Sequence, residues 1–339
     1  MYPHRWYIKQ LLKPKITDFD TSYIISAKRR LNITIPITKK YYGFNVNDLS
    51  ENRRLNFSPN TYYHVGFHFS NVLLTFGFAS TIKFGANSTR GNTTFRDIQF
   101  TVIGRRIITD INYQNYKGFF ISNAANYNQV EQSNSNIIRP DIRVISFGIK
   151  TMFVYNYKKY SLRGAFSFTD IQRKSAASFM TGIYHSNVVF QSIDSTIVKY
   201  PFNNYFSPLL NQVNKISLIT VGVSAGYGYT FVYKKFIFST AINIGLGGQE
   251  TNYTTIDKKN HSQSIHASVN VNARSALRYD NLRFFYGTMG AYENNFIFNS
   301  KEFNTENYIA KLVVFAGYRF NAKQRSKKIL KALRLIDYN

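Results

Sequence analysis

Phe236 to Gly248 reads FIFSTAINIGLGG. Phe236, Phe238, Ile242, Ile244 and Leu246 fall on one side of an extended chain. Ile237, Ser239, Ala241, Asn243, Gly245 and Gly247 fall on the other, because strand side chains point to opposite faces with period two. One face is oily and the other is small and polar. Whether the oily face meets a protein core or lipid decides the fold.

The same grammar recurs along the chain. YHVGFHFSNVLLTFGFAS, IKTMFVYNYKKYSLRGAFSF, GYGYTFVYKKFIFSTAINIG and ARSALRYDNLRFFYGTMG are alternating runs joined by tight polar links, the pattern of β-hairpins. The expected turns are Ser70-Asn71, Lys158-Lys159, Lys234-Lys235 and Asp280-Asn281, with a weaker one at Gly104-Arg105-Arg106. About twelve strands are expected, near 23–37, 60–70, 72–84, 94–104, 106–121, 141–157, 160–172, 215–233, 236–248, 264–279, 282–298 and 307–320. Long polar connections alternate with the tight turns. The longest, about 172–215, carries Phe179, Tyr184, Phe190, Tyr200, Phe202, Tyr205 and Phe206 and is expected to pack on something. An even strand number, with tight turns at one rim and long loops at the other, predicts an all-β, transmembrane, antiparallel up-and-down barrel.

Three features favour lipid over a soluble sandwich. Many strands reach ten residues or so, as an oblique bilayer crossing requires. Aromatics crowd the strand ends beside the turns, at Tyr155, Tyr157, Tyr160, Tyr229, Phe231, Tyr233, Phe236, Tyr279, Phe284 and Tyr286, as an interfacial girdle would. The non-oily rows carry mid-strand charge, which water inside a barrel would solvate. The predicted division is an N-terminal periplasmic segment at 1–22, the barrel at 23–320 and a basic periplasmic tail at 321–339. In that tail Ile329, Leu330, Leu333 and Ile336 have helical spacing, suited to an anionic lipid surface or to a short solvated helix.

Composition agrees. The 339 residues include 30 Phe and 26 Tyr, and no run approaches the ~18 apolar residues of a spanning helix. Zero Cys excludes disulfide scaffolds and Cys-based metal sites. The net charge of +26 asks for a polyanion. Its basic pairs are scattered and no nucleic-acid motif accompanies them, so the expected partners are outer-membrane lipid and lipopolysaccharide, not nucleic acid. The opening MYPHRWYIKQLLKPKITDFD has no apolar h-region and does not read as a signal peptide, so the given sequence is expected to lack its leader.

DTSYI (Asp20–Ile24), FSPNTYYHVGFHFS (Phe57–Ser70), DIQFTVIGRRIITDINYQNYKGFFI (Asp97–Ile121) and AGYRFNA (Ala316–Ala322) resemble a Bacteroidota outer-membrane β-barrel family described as a domain of unknown function. YQNYKGFF is the most specific piece. The resemblance implies an outer-membrane barrel and supplies no catalytic residues. The last run, YIAKLVVFAGYRF, ends on Tyr318 and Phe320 and looks like the terminal-strand signal that engages the barrel-insertion machinery.

The chemistry expected is sparse. His64 and His68 share a strand face but stand about 13 Å apart, too far to chelate one metal. Ser264, His266 and Asn270 are in phase at about 7 Å per pair of residues, too loose for a triad. No catalytic, cofactor or metal residues are therefore assigned, and an enzyme is not expected. The inward rows are expected to hold the bases Lys83, Lys150, Arg163, Arg274, Arg278, Lys311 and Arg319. With them go Asp97, Gln99, Asp110, Asn112 and Gln114. Two functions follow: a porin-like, passive, anion-biased channel for small solutes, or a plugged structural or interaction barrel that binds a partner through its long loops.

Overall fold

The computed structural model describes residues 19–26, 30–70, 74–82, 88–127, 137–263, 265–297 and 302–321. The strands, in chain order, are β1 (Ile24–Ser26), β2 (Arg30–Asp48), β3 (Arg53–Ser58), β4 (Tyr63–Ser70), β5 (Leu74–Ile82), β6 (Thr94–Ile103), β7 (Ile107–Ile121), β8 (Ile137–Val154), β9 (Asp170–Gln172), β10 (Ala176–Ser192), β11 (Val213–Tyr233), β12 (Phe236–Thr255), β13 (Asn260–Ser262), β14 (His266–Asp280), β15 (Phe284–Ile297) and β16 (Phe303–Asn321). One short helix, α1 (Leu162–Phe166), precedes β9.

Twelve strands form a ring in the order β2, β4, β5, β6, β7, β8, β10, β11, β12, β14, β15, β16, and β16 pairs back to β2. Every ladder is antiparallel, and the closing one runs from Phe303↔Asp48 to Asn321↔Arg30. Closure pairs the strands around the ring, as a β-structure in hydrocarbon requires; among the described residues the β5–β6 seam is the thinnest, paired at Leu74–Val102 and Thr75–Thr101. Toward the long-loop rim the ring is smaller. β3 pairs Phe57 with Phe44 of β2 and with Ile121 of β7, bypassing β4, β5 and β6 and leaving ten strands. The handover on β7 falls at Gly118, whose φ of +88° suits glycine. The register of β7 against β8 shifts there, between Lys117 and Phe119. This bulge sits inside the YQNYKGFF segment.

The opening stretch is answered by burial. Leu246 is 63% exposed and Ile244 52%, while Ala241 is 3% exposed and Ser239 1%. The oily row therefore faces outward, and it continues around the wall through Val221, Val223, Tyr227, Leu277, Leu312 and Val314. From Phe236 to Leu246 the strand rises roughly 34 Å, which at a tilt of about 40° covers about 25 Å of bilayer. Tyr233, Phe236, Phe284, Tyr286, Tyr318 and Phe320 ring its turn-side edge, all exposed. The fold is a transmembrane-type antiparallel barrel.

Four expectations are corrected. Residues 160–172 do not form a wall strand: Lys158-Lys159 opens a longer excursion containing α1 and β9, and β9 pairs with β1 away from the ring. Tyr157 and Tyr160 of that excursion are buried, so they do not belong to the girdle. Residues 176–192, expected as loop, are the long strand β10, paired with both β8 and β11. And β2 continues to Asp48 where a loop was expected. Along it the apolar row changes faces: Ile35 and Ile37 point outward, whereas Tyr42, Phe44 and Val46 are buried inside. Beyond the lipid the apolar side chains move to the inside, and a reading that follows one oily row loses the strand. The tail at 321–339, apart from Asn321, lies outside the described residues.

Candidate functional site

The lumen is the concave space of this fold, and three layers of side chains occupy it. At the turn rim, α1 and β9 form a floor. Ser161 caps α1 by accepting a hydrogen bond from Gly164 N at 3.0 Å. Phe168 stacks 4.3 Å from Phe315 and packs at 5.6 Å on Phe285. Asp170 is fully buried and pairs with Arg163 at 2.8 Å and Arg105 at 3.5 Å. Burial alone would raise the Asp170 pKa, but the two guanidiniums and the hydrogen bonds from Arg163 and Ser161 hold it below the usual carboxylate range. Arg278 donates to the Gly164 carbonyl of α1 and lies 3.2 Å from Asp280. Arg319 makes a bidentate pair with Asp280 at 2.7 and 2.8 Å. Arg278 and Arg319, two of the expected lumen bases, join the floor to the wall through Gly164 O and Phe168 O; a third, Arg163, lies on α1 and not on a strand and pairs within the floor.

At the loop rim, the 193–212 connection folds inward as a cap. Ile197, Val198, Phe202, Phe206 and Leu210 join Phe44, Phe57, Phe119 and Phe190 of the wall in one apolar cluster. Phe44 stacks 4.6 Å from Phe57 and lies 4.3 Å from Phe190. Arg139 fastens the cap, donating to the carbonyls of Ile197 at 2.6 Å and Thr196 at 2.8 Å while paired with Asp141. Asp48 accepts from Ser207 N at 2.7 Å. Tyr200 remains outside, 77% exposed.

Between floor and cap lies a polar middle layer. Lys40 pairs with Asp97, which also accepts from Tyr116 OH at 3.3 Å and Gln114 Nε2 at 3.4 Å. Lys311 Nζ donates to Gln99 Oε1 at 2.7 Å. Arg274 pairs with Asp110 at 3.1 Å, and Asp110 accepts from Thr101 at 2.8 Å. Lys150 Nζ lies 3.4 Å from Asn270 Oδ1, and Asn270 donates to Glu293 at 3.3 Å. Asn112 lies against Gly148, and both border a cavity of about 70 Å³ shared with Lys150, Asp110 and Arg274. Lys83 lies outside the described residues, and so does Ser264, so its spacing to His266 has no structural counterpart.

The small row of the opening stretch is not a water-lined face. Tyr184 projects from β10 onto glycines of β11 and β12: a Cβ on Gly222 would stand 2.5 Å from its hydroxyl oxygen, and one on Gly245 2.6 Å from its ring. Tyr160 covers Gly228 in the same way. Sequence reading missed Lys40, Glu293, Asp170, Asp280 and Tyr184. Lys40 sits in a Lys-Lys pair that resembles a turn, and Tyr184 sat in the expected loop. Continuing the β2 alternation through Tyr42, Phe44 and Val46 would have placed Lys40 on the inner row.

Among the described residues no cluster of three or more His, Asp or Glu could hold a metal. No helix of the described residues is long and apolar enough to cross a membrane.

Fold and site together define a transmembrane-type β-barrel with an occupied lumen. Within that class the chain belongs to the family described as Domain of unknown function (DUF4421), whose model matches residues 18–320. No curated protein matches it. Among solved structures it is similar to the outer-membrane protease OmpT of Escherichia coli, at 9% identity over 87% of this chain and 98% of that one, with a TM-score of 0.39. It is also similar to the toluene transporter TodX of P. putida, at 7% identity over 92% and 94%, with a TM-score of 0.26. CdiB from Acinetobacter baumannii matches at 8% identity over 84% and 60%, with a TM-score of 0.28.

Proposed function

We propose that this protein is a sealed, non-catalytic barrel of the bacterial outer membrane that binds a partner through its long-loop rim. The turn rim then faces the periplasm, and the family resemblance implies a source among Bacteroidota. The observation that carries the reading is the double filling of the lumen. An apolar cap built on Phe202 and Phe206 closes one end, and a buried ionic floor built on Asp170 and Asp280 closes the other. Exposed Leu49, Ile193, Tyr200, Ile256 and Ile265 stand near the loop rim, above the lipid belt, where a protein partner would cover them. Lipopolysaccharide would surround the same rim, and Tyr318 and Phe320 end the last strand as the insertion signal would.

The competing reading is a passive anion-biased channel. In its favour stands the surplus of base inside: Lys40, Lys150, Arg274 and Lys311 face Asp97, Asp110 and Glu293 in the middle layer. Single-channel recording in a planar bilayer separates the two. A heat-modifiable, folded barrel that stays silent supports the sealed reading, and steady anion-selective steps from the intact protein overturn it.

A further inference from the structure

The outer wall carries one apolar groove of about 560 Å³ where β7, β8, β10, β11 and β12 run side by side. Its base is made by small outward residues, Thr151, Thr181 and Ala225, and its flanks by Phe153, Ile183 and Val223. The threonine hydroxyls are spent on neighbours: Thr151 shares a hydrogen bond with Thr109 at 3.0 Å, and Thr181 with Tyr155 at 3.2 Å. The groove therefore presents methyl groups and rings.

Its direction is set by the register. Ile107, Phe153, Thr181, Ala225 and Ile244 lie in one cross-strand row. Four strand spacings make that row roughly 19 Å long, and a strand tilt of about 40° makes it descend about 12 Å through the bilayer. That is close to one leaflet's share of the ~30 Å hydrocarbon layer. The low end is at Ile107, the first residue of β7, whereas Ile244 lies eight residues up β12 from Phe236. Directly before Ile107 stands Arg106, exposed at the turn rim. Its guanidinium is fixed by the Tyr157 ring at 4.5 Å and the Tyr157 hydroxyl at 2.5 Å. Lys158 and Lys159, both exposed, follow Tyr157 in sequence, in the turn after β8.

We propose that this groove is a specific site for an anionic phospholipid of the periplasmic leaflet. One acyl chain lies along the Thr181–Ala225 row, and the phosphate rests against Arg106 and Lys158. The slot's lining ends at Ile107, next in sequence to the exposed Arg106, and an apolar slot beside a basic rim matches that amphiphile in both polarity and length. The inference rests on the membrane-spanning reading and is independent of whether the lumen is sealed.

The test uses the full chain, extracted in mild detergent and washed until bulk lipid is gone, with retained lipid quantified by mass spectrometry. Wild type is expected to keep about one anionic phospholipid per barrel. Ala225→Phe fills the slot from the outside and Arg106→Glu reverses the rim charge, and each should lower retention at least fivefold while heat-modifiability stays unchanged. Equal retention in wild type and either variant overturns the proposal. So does retention of lipid A in place of phospholipid, or a wild type that keeps none while remaining folded. A chain that never inserts or folds as a barrel fails the membrane reading instead, and heat-modifiability identifies that case separately.

Discussion

Asp170 is the residue on which the floor turns. It is buried at 0% exposure between Arg163 and Arg105. Removing one partner from such a cluster leaves uncompensated buried charge, which costs roughly 3–5 kcal/mol. Asp170→Asn should therefore lower the barrel's thermal transition in detergent, read by heat-modifiability. Its pH dependence has a definite sign. The folded pKa lies below the unfolded one, so the unfolded chain binds more protons, and the stabilisation is full above about pH 4. It is lost as pH falls through the lowered folded value. The wild type should lose stability in that acid range and Asp170→Asn should lose less. Tyr184 gives a second residue-scale outcome. Gly245→Ala forces a Cβ into its ring and should destabilise, whereas the same change in a Tyr184→Ala background should cost little. A double-mutant cycle measures the difference, and additive effects would count against the packing argument.

At the scale of elements, the cap is held by few bonds. Arg139 supplies two of them, to Thr196 and Ile197. Arg139→Ala should loosen the 193–212 connection without opening the ring, because the β8 ladders to β7 and β10 do not use its side chain. Limited proteolysis of intact cells or proteoliposomes should then cut near Lys199, which the wild type protects. The element boundaries also show where sequence reading stopped. The runs with one continuous oily row, β11 and β12 among them, were legible from alternation alone. β10 was not, because Tyr184 and Phe190 point inward onto glycine and phenylalanine while Phe179 and Ile183 point out. With large apolar and small polar residues mixed in both rows, no face stands out.

For the whole molecule, the proposed sealed reading places a floor and a cap at opposite ends of the polar middle layer, and on that reading conduction needs a lesion at both ends. Excising the floor residues 161–172 alone, or loosening the cap alone with Phe202→Ser and Phe206→Ser, should leave the barrel silent in planar bilayers. The combination should conduct, with an anion bias from Lys40, Lys150, Arg274 and Lys311. Conduction from either single variant would place the seal at one end only.

Alternation with period two is a local property, so the sequence by itself determined the all-β class, the strand-rich ring, the outward belt and its aromatic edge. What fills the space inside the ring is a long-range property. The contact between Phe202 and the wall aromatics, the β1–β9 pair, the Arg319–Asp280 bridge and the Tyr184 ring over Gly245 join positions far apart in the chain. No local pattern encodes them. Only tertiary structure decided that the glycines of the small row lie against tyrosine and not water, because the fit of Tyr184 on Gly222 and Gly245 exists only once β10, β11 and β12 have paired in register.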